Sequence, residues 1–259
     1  MFIFKNKPLV VDAFTFVPIT HELFPIKRAI YSLPDWWKNL PNSYDKQIAR
    51  TITVKDGTMK NCSGFKELYK SGFMLSMWTD LKINIPEDYT FTGQFDAVMA
   101  HRPLQSIGWE DFVTHSPEQY NNVYSDLVHC KLMSPWFITQ KQDFKWMWSE
   151  PTWNTLEYNS DVKILPGVID FKNQNQVNVN LFLKKSGHLL EIDAGKSIAQ
   201  LIPLTDRKIE IKNHLVTAQE WIRIGSNSAH NFKFFNGYST LKNKRKELEN
   251  EKKCPFHFG

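Results

Sequence analysis

The segment 165–204 constrains the fold more than any other part of the chain. Val177, Val179, Leu181 and Leu183 alternate with Asn178, Asn180 and Phe182. A period of two places the aliphatic side chains on one face of an extended strand, whereas a helix would scatter them around its circumference. Ser186-Gly187 and Ala194-Gly195-Lys196 supply turn chemistry. Leu189 to Ile192 then reads as a return strand, and Ile198-Ala-Gln-Leu-Ile-Pro-Leu closes the run. Pro203 lies near the end of that run, where a missing N–H does least harm. The expectation is a strand, a hairpin and a further strand inside a β-barrel, with one carboxylate, Asp170, at a turn.

The remainder of the chain agrees with a sheet protein. Nine Trp and 19 Phe among 259 residues provide a large aromatic core, and aromatic side chains favour strands. The net charge of +5 reads as a mildly basic soluble protein with affinity for nucleic acid or phosphate as the alternative. Cys62, Cys130 and Cys254 are odd in number and far apart, which argues against a disulfide framework or a cysteine zinc site and points to a reducing, cytoplasmic setting. No apolar run of membrane length or leader pattern is present, so no membrane partner is expected.

Along the chain, residues 2–17 read as one or two strands. Ile30 to Lys38 reads as an extended piece followed by a helix with Pro34 in its first turn and Ser32 as cap. Of the adjacent Trp36 and Trp37, one is expected in the core and one half exposed. Residues 39–61 read as a loop with Ile52 and Val54 as a short strand. Ser63 to Lys70 reads as two turns of helix ended by Gly72. Residues 73–78, 80–86 and 89–92 read as a strand meander. Residues 100–126 form an irregular excursion, His129 to Thr139 a strand broken by Pro135, and Phe144 to Trp148 a strand with Phe144, Trp146 and Trp148 on one face. Short strands are expected at 208–212 and 220–224, then a loop over 225–240. Ser239 to Lys253 carries +6 and −3 and reads as a solvated helix capped by Ser239 or Thr240. This gives an N-terminal extension over 1–60, a β-barrel over 61–235 and a charged helix and tail over 236–259.

Gly167-Val168-Ile169-Asp170, the strand positions Val177, Val179 and Leu181, and Gly195 with Ile198-Ala199-Gln200-Leu201-Ile202 resemble the central segment of the trimeric dUTPases. Gly72-Phe-Met-Leu to Asp80-Leu and Lys131-Leu-Met-Ser134-Pro-Trp-Phe stand in the chain order of that family's first two motifs. The resemblance implies a mainly β fold of the dUTPase-like β-clip or jelly-roll barrel kind, a homotrimer, and a nucleotide or phosphate ligand near Asp80, Ser134, Gly167, Val168, Ile169 and Gln200. It further implies that Asp170 activates the water that attacks the α-phosphorus while Mg²⁺ sits on the triphosphate. By the same resemblance the Lys-rich tail, ending in Phe256-His257-Phe258, docks on a neighbouring subunit. The blocks Leu33-Pro-Asp-Trp-Trp-Lys, Lys60-Asn-Cys-Ser-Gly-Phe and Leu165-Pro-Gly-Val-Ile-Asp are similar to uncharacterised phage proteins, so the setting is a host cytoplasm or a virion.

Departures from the dUTPase pattern fall at the ligand-facing positions. Asn173 stands where that family has the Tyr that stacks on the sugar, and Asn175 where it has Gly. Ser134-Pro135-Trp136 replaces the Arg-Ser-Gly phosphate motif, and Phe235-Asn-Gly-Tyr-Ser-Thr is the nearest match to the terminal Gly-rich motif. Charge moving in phosphoryl chemistry needs such a clamp. The expectation is therefore a β-clip binding or assembly protein with a degenerate nucleotide site and no resident cofactor or metal. The alternative is a Mg-dependent dUTP or nucleotide pyrophosphatase using Asp170. A jelly-roll oxygenase is the weaker alternative, its iron held by His101, Asp96 and His230. Trp146, Trp148 and Trp153 are read as a core face in preference to a base-stacking platform.

Overall fold

The computed structural model of the chain describes residues 7–90, 96–120, 125–152, 162–226 and 237–252. Period-two patterning resolves there into strands β1 (Leu9–Thr15), β2 (Lys27–Arg28), β3 (Ser43–Ala49), β4 (Ile52–Gly57), β5 (Phe73–Ser76), β6 (Leu81–Asn84), β7 (Asp96–Met99) and β8 (Phe112–Thr114). The second half supplies β9 (Leu127–Thr139), β10 (Trp146–Ser149), β11 (Val162–Ile164), β12 (Gly167–Ile169), β13 (Gln176–Lys184), β14 (Leu189–Ile192), β15 (Ser197–Pro203) and β16 (Ile209–Leu215). Five α-helices accompany them: α1 (Pro18–Leu23), α2 (Asp35–Asn39), α3 (Ser63–Ser71), α4 (Ala218–Ser226) and α5 (Gly237–Lys252). The chain is mainly β.

The largest sheet has the order β11-β13-β9-β1-β16, with β8 also on β9; a second has the order β12-β10-β15-β5-β2. A small sheet, β14-β6-β7, and the separate β3–β4 hairpin complete the set. The sheets converge on one core. Val11, Leu132, Val179 and Leu181 of the first meet Leu75, Trp146 and Leu201 of the second and Leu81, Ile83 and Ile192 of the third. Each such side chain contributes roughly 1.5–3 kcal/mol by leaving water. Among the described residues every sheet has two free edges, so the barrel expected from the alternation is not closed. The segment read as an N-terminal extension supplies β1, which lies inside the first sheet, parallel to β16 and antiparallel to β9.

The alternating segment contains the expected strands but not the expected hairpin. β13 is flanked by β9 and β11, so no edge is left for β14, which pairs with β6 instead. β15 is flanked by β10 and β5. The two glycine turns do the sorting. Gly187, at φ 64°, donates its N–H to Ile85 O at 2.9 Å, and Gly195, at φ 87°, donates to Met77 O at 2.8 Å. Each turn is thus sealed by the residue just past the end of a different strand, β6 or β5, and hands the chain to a different sheet. The 73–92 meander fails for the same reason: β5 already has β15 and β2 on its edges, so β6 joins another sheet. Tyr89 and Thr90 are not in a strand, and 91–92 lie outside the described residues.

Two further differences have local causes. β9 runs unbroken through Pro135. The register against β13 shifts there, from Asn178 opposite Met133 to Gln176 opposite Phe137. That irregularity accommodates a residue without an N–H. The piece 220–224, read as a strand, belongs to α4. Thr217 Oγ1 accepts Glu220 N at 3.2 Å while Glu220 Oε2 accepts Thr217 N at 3.1 Å, a reciprocal capping box. Helical spacing then buries Trp221, which stacks on Phe137 with centroids 3.9 Å apart and donates to Pro135 O at 3.0 Å. Gly225 is required beneath it, because a Cβ there would stand 2.4 Å from the Phe137 ring.

The remaining expectations are met in part: Ile30 lies in a 3-10 turn over Ala29–Ser32 and not in an extended piece, the strand read over Phe144 to Trp148 begins at Trp146, α4 and α5 run into the two ends of the loop read over 225–240, and residues 2–6 and 227–236 lie outside the described residues. Trp37 is buried and Trp36 half-buried, as the adjacent pair predicts, although Pro34 sits at the cap of α2 and Ser32 provides no cap bond. α3 buries Phe65 and Tyr69 and stops at Gly72. Trp146 and Trp148 lie in the core, and Trp153 lies outside the described residues. α5 begins two residues before the expected Ser239 cap. The residues 39–61 contain a full hairpin where one short strand was expected.

Candidate functional site

β12 is the edge of the second sheet, paired with β10 so that Val168 faces Met147. It leaves Gly167 and Val168 exposed and Ile169 half-buried. Asp170 follows immediately and folds back on its own turn. Its Oδ1 accepts Lys172 N at 2.9 Å, its Oδ2 accepts the Asn173 amide at 2.8 Å, and its backbone carbonyl accepts Asn173 N and Gln174 N. The turn drives Phe171 fully into the core. Asn173, the residue at the sugar-stacking position of the dUTPase pattern, is buried and spends its side chain on this carboxylate. Asn175, the next departure, is also buried and donates to Ile224 O at 2.8 Å, tying the turn to α4.

The other candidate residues have partners of their own. Asp80 is exposed and its Oδ1 accepts Ala194 N at 2.8 Å, bracing the turn before β15. Ser134 is buried in β9, where its Oγ accepts Trp136 N at 3.1 Å across the Pro135 irregularity. Gln200 is fully buried; its Oε1 accepts Thr152 N and the Thr152 hydroxyl at 3.1 and 2.7 Å, and its Nε2 donates to Leu68 O at 3.1 Å. Gly72 allows that approach, since a Cβ there would lie 2.6 Å from Leu68 O and 2.8 Å from Gln200 Nε2. Three residues thus stitch three different joints of the fold.

Metal-type side chains are dispersed. No group of three His, Cys, Asp or Glu among the described residues is placed to hold a metal ion. Asp96 and His101 are exposed, and His230 lies outside the described residues. Cys130 points into the core, and burial pushes its thiol far above the ordinary range. On the opposite face of β9, His129 stacks on His115 with centroids 4.6 Å apart and meets Phe182 edge-on. Burial, then the neighbouring His115, hold His129 below the usual histidine range.

Two surface features were not visible in the sequence. One is a cleft of about 610 Å³ between β2, the last turn of α3 and the β15–β16 connection, lined by Arg28, Lys70, Arg207 and Lys208. Those four cations come from three segments far apart in sequence, so no charge run announces them. The other is the β3–β4 hairpin. Every residue of β3 and all but one of β4 are exposed. Register places Tyr44 beside Asp56 and Lys46 beside Val54. Tyr44, Ile48, Ile52 and Val54 remain 39–58% exposed. Its base is fastened by Thr58 N to Asn42 O at 3.2 Å and Asn61 Nδ2 to Asn42 O at 2.8 Å. An open apolar recess lined by Trp36, Leu40, Tyr44 and Met59 continues from it.

No helix among the described residues is long and apolar enough to cross a membrane. No protein-family model matches the chain, and comparison with curated proteins finds no relative.

Proposed function

We propose that this chain is a β-rich binding and assembly protein. It is of the dUTPase-like β-clip kind and of the phage type its sequence resembles, with a degenerate nucleotide site, and it works as a homotrimer. The observation that carries the reading is the β3–β4 hairpin. A two-stranded hairpin without a buried face is marginal by itself. Exposed strand edges with apolar side chains are natural templates for pairing with another chain. Tyr44, Ile48, Ile52 and Val54 give this hairpin such a face, and Lys46 and Asp56, joined at 3.2 Å, leave it without a strong charge of one sign. Copies of the hairpin gathered around a three-fold axis can therefore meet without repulsion.

Asp170 supports the same reading. Both carboxylate oxygens serve its own turn, which is the ordinary use of Asp in turn chemistry.

Light scattering on the purified chain at micromolar concentration tests the assembly. The expected mass is three times that of the 30.4 kDa chain, falling to one chain in Ile48→Lys/Ile52→Lys with an unchanged circular dichroism spectrum. A wild-type monomer overturns the proposal. A panel of nucleoside triphosphates with Mg²⁺ tests the chemistry. Pyrophosphate release that Asp170→Asn abolishes would replace this reading with the nucleotide pyrophosphatase.

A further inference from the structure

We propose that the cleft between β2, α3 and the β15–β16 connection is a binding site for a phosphorylated small molecule, separate from the Asp170 turn and from the hairpin. The cleft lies where the edges of the two larger sheets come together. β2 is the last strand of one and β16 the last strand of the other. Among the described residues neither edge is continued by another strand there, which leaves the seam as a cleft. Its volume of about 610 Å³ falls in the range of small-ligand sites, roughly 300–1,000 Å³.

The cations are arranged for an anion, not for carboxylates of the protein. Arg28 is held by two backbone carbonyls from different elements, Nη1 to Lys70 O at 3.4 Å and Nη2 to Ile209 O at 3.1 Å. Arg207 Nη2 donates to Lys7 O at 2.8 Å. Carbonyl partners fix a guanidinium without neutralising it and leave its other N–H groups free to fork onto a phosphate. Among the described residues, none of Arg28, Lys70, Arg207 and Lys208 forms an ion pair within 4.0 Å. Glu67 and Asp206 also line the cleft, which leaves an excess of two positive charges. That matches one phosphate group at neutral pH. Ile30 and Pro203 in the lining give an apolar surface for the organic part of the ligand.

The test uses inorganic pyrophosphate as the probe of the phosphate subsite, by isothermal titration of the full chain at low salt. Wild type is expected to saturate below about 1 mM and to weaken as salt screens the charges. Lys70→Gln/Lys208→Gln removes two charges without touching a side-chain hydrogen bond and is expected to weaken binding by at least about tenfold, the loss of one charge-assisted contact. Arg28→Gln is expected to do the same. The exposed pair Lys141→Gln/Lys163→Gln, outside the cleft, is expected to bind as wild type. Absence of saturation in wild type overturns the proposal. So does equal weakening by the outside pair, which would mean attraction to net charge alone. Binding confined to a single-stranded oligonucleotide, with none to pyrophosphate, also overturns it.

Discussion

β15 and the β3–β4 hairpin are both extended chain with apolar residues at regular spacing, yet all seven residues of β15 are buried and nearly all of the hairpin is exposed. The difference lies in neighbours. β15 has a strand on each edge, the shared core on one face, and on the other Gln200, which ties it to α3 with one hydrogen bond and to Thr152 with two. Among the described residues the hairpin pairs only with itself. A strand buried on both faces holds the fold together, whereas one without a third strand or a packed face gives its own chain little and is open to another.

The comparison can be broken from the buried side first. Trp146, in the strand beside β15, packs against Phe73 and Phe171 and donates to Gln140 Oε1 at 2.6 Å. Trp146→Ala is expected to cost about 3–5 kcal/mol in chemical denaturation. Gln200→Leu keeps the bulk but removes the acceptor of Thr152 N and of the Thr152 hydroxyl, so a loss of about 1–3 kcal/mol is expected in the same experiment. A loss near zero in both would mean that β15 is not the structural strand its burial implies.

His129 is intermediate between the two regions, half-buried on the outer face of β9. Its folded pKa lies below the ordinary value of about 6.5. As pH falls through 6.5 the unfolded chain takes up the proton first, so stability is full above that pH and declines toward the lowered folded value. Melting temperatures across that window are expected to fall in wild type and to fall less in His129→Phe. An equal slope in both would move the acid sensitivity elsewhere. The smallest effect belongs to the hairpin. Ile48→Lys/Ile52→Lys is expected to leave the unfolding free energy of the dissociated chain within about 0.5 kcal/mol of wild type. A large loss would show that the hairpin supports its own fold after all.

Strand positions were legible in the sequence where one face is buried, because period two survives there. Val177 to Leu183 and Trp146 to Trp148 are examples. Pairing was not legible. The turns at Gly187 and Gly195 look like hairpin turns, and only the carbonyls of Ile85 and Met77, from distant segments, send the chain to other sheets. α4 was readable and was missed: Thr217 and Glu220 form a capping box, but the short apolar spacing of Trp221, Ile222 and Ile224 suits a strand equally well. At the candidate site the Gly-Val-Ile-Asp block correctly marked a strand and a turn. Its asparagines at 173 and 175 carry the rest of the information, since both are buried and occupied with the turn and its tie to α4. The cleft could not be read at all, because its cations are contributed by separate segments.

Hydrogen exchange across residues 43–57 at two protein concentrations tests the central claim most directly. The account predicts that β15 is protected at both concentrations, while the hairpin exchanges rapidly in dilute protein and becomes protected when the chain is concentrated. Rapid exchange of the hairpin at every concentration would contradict it.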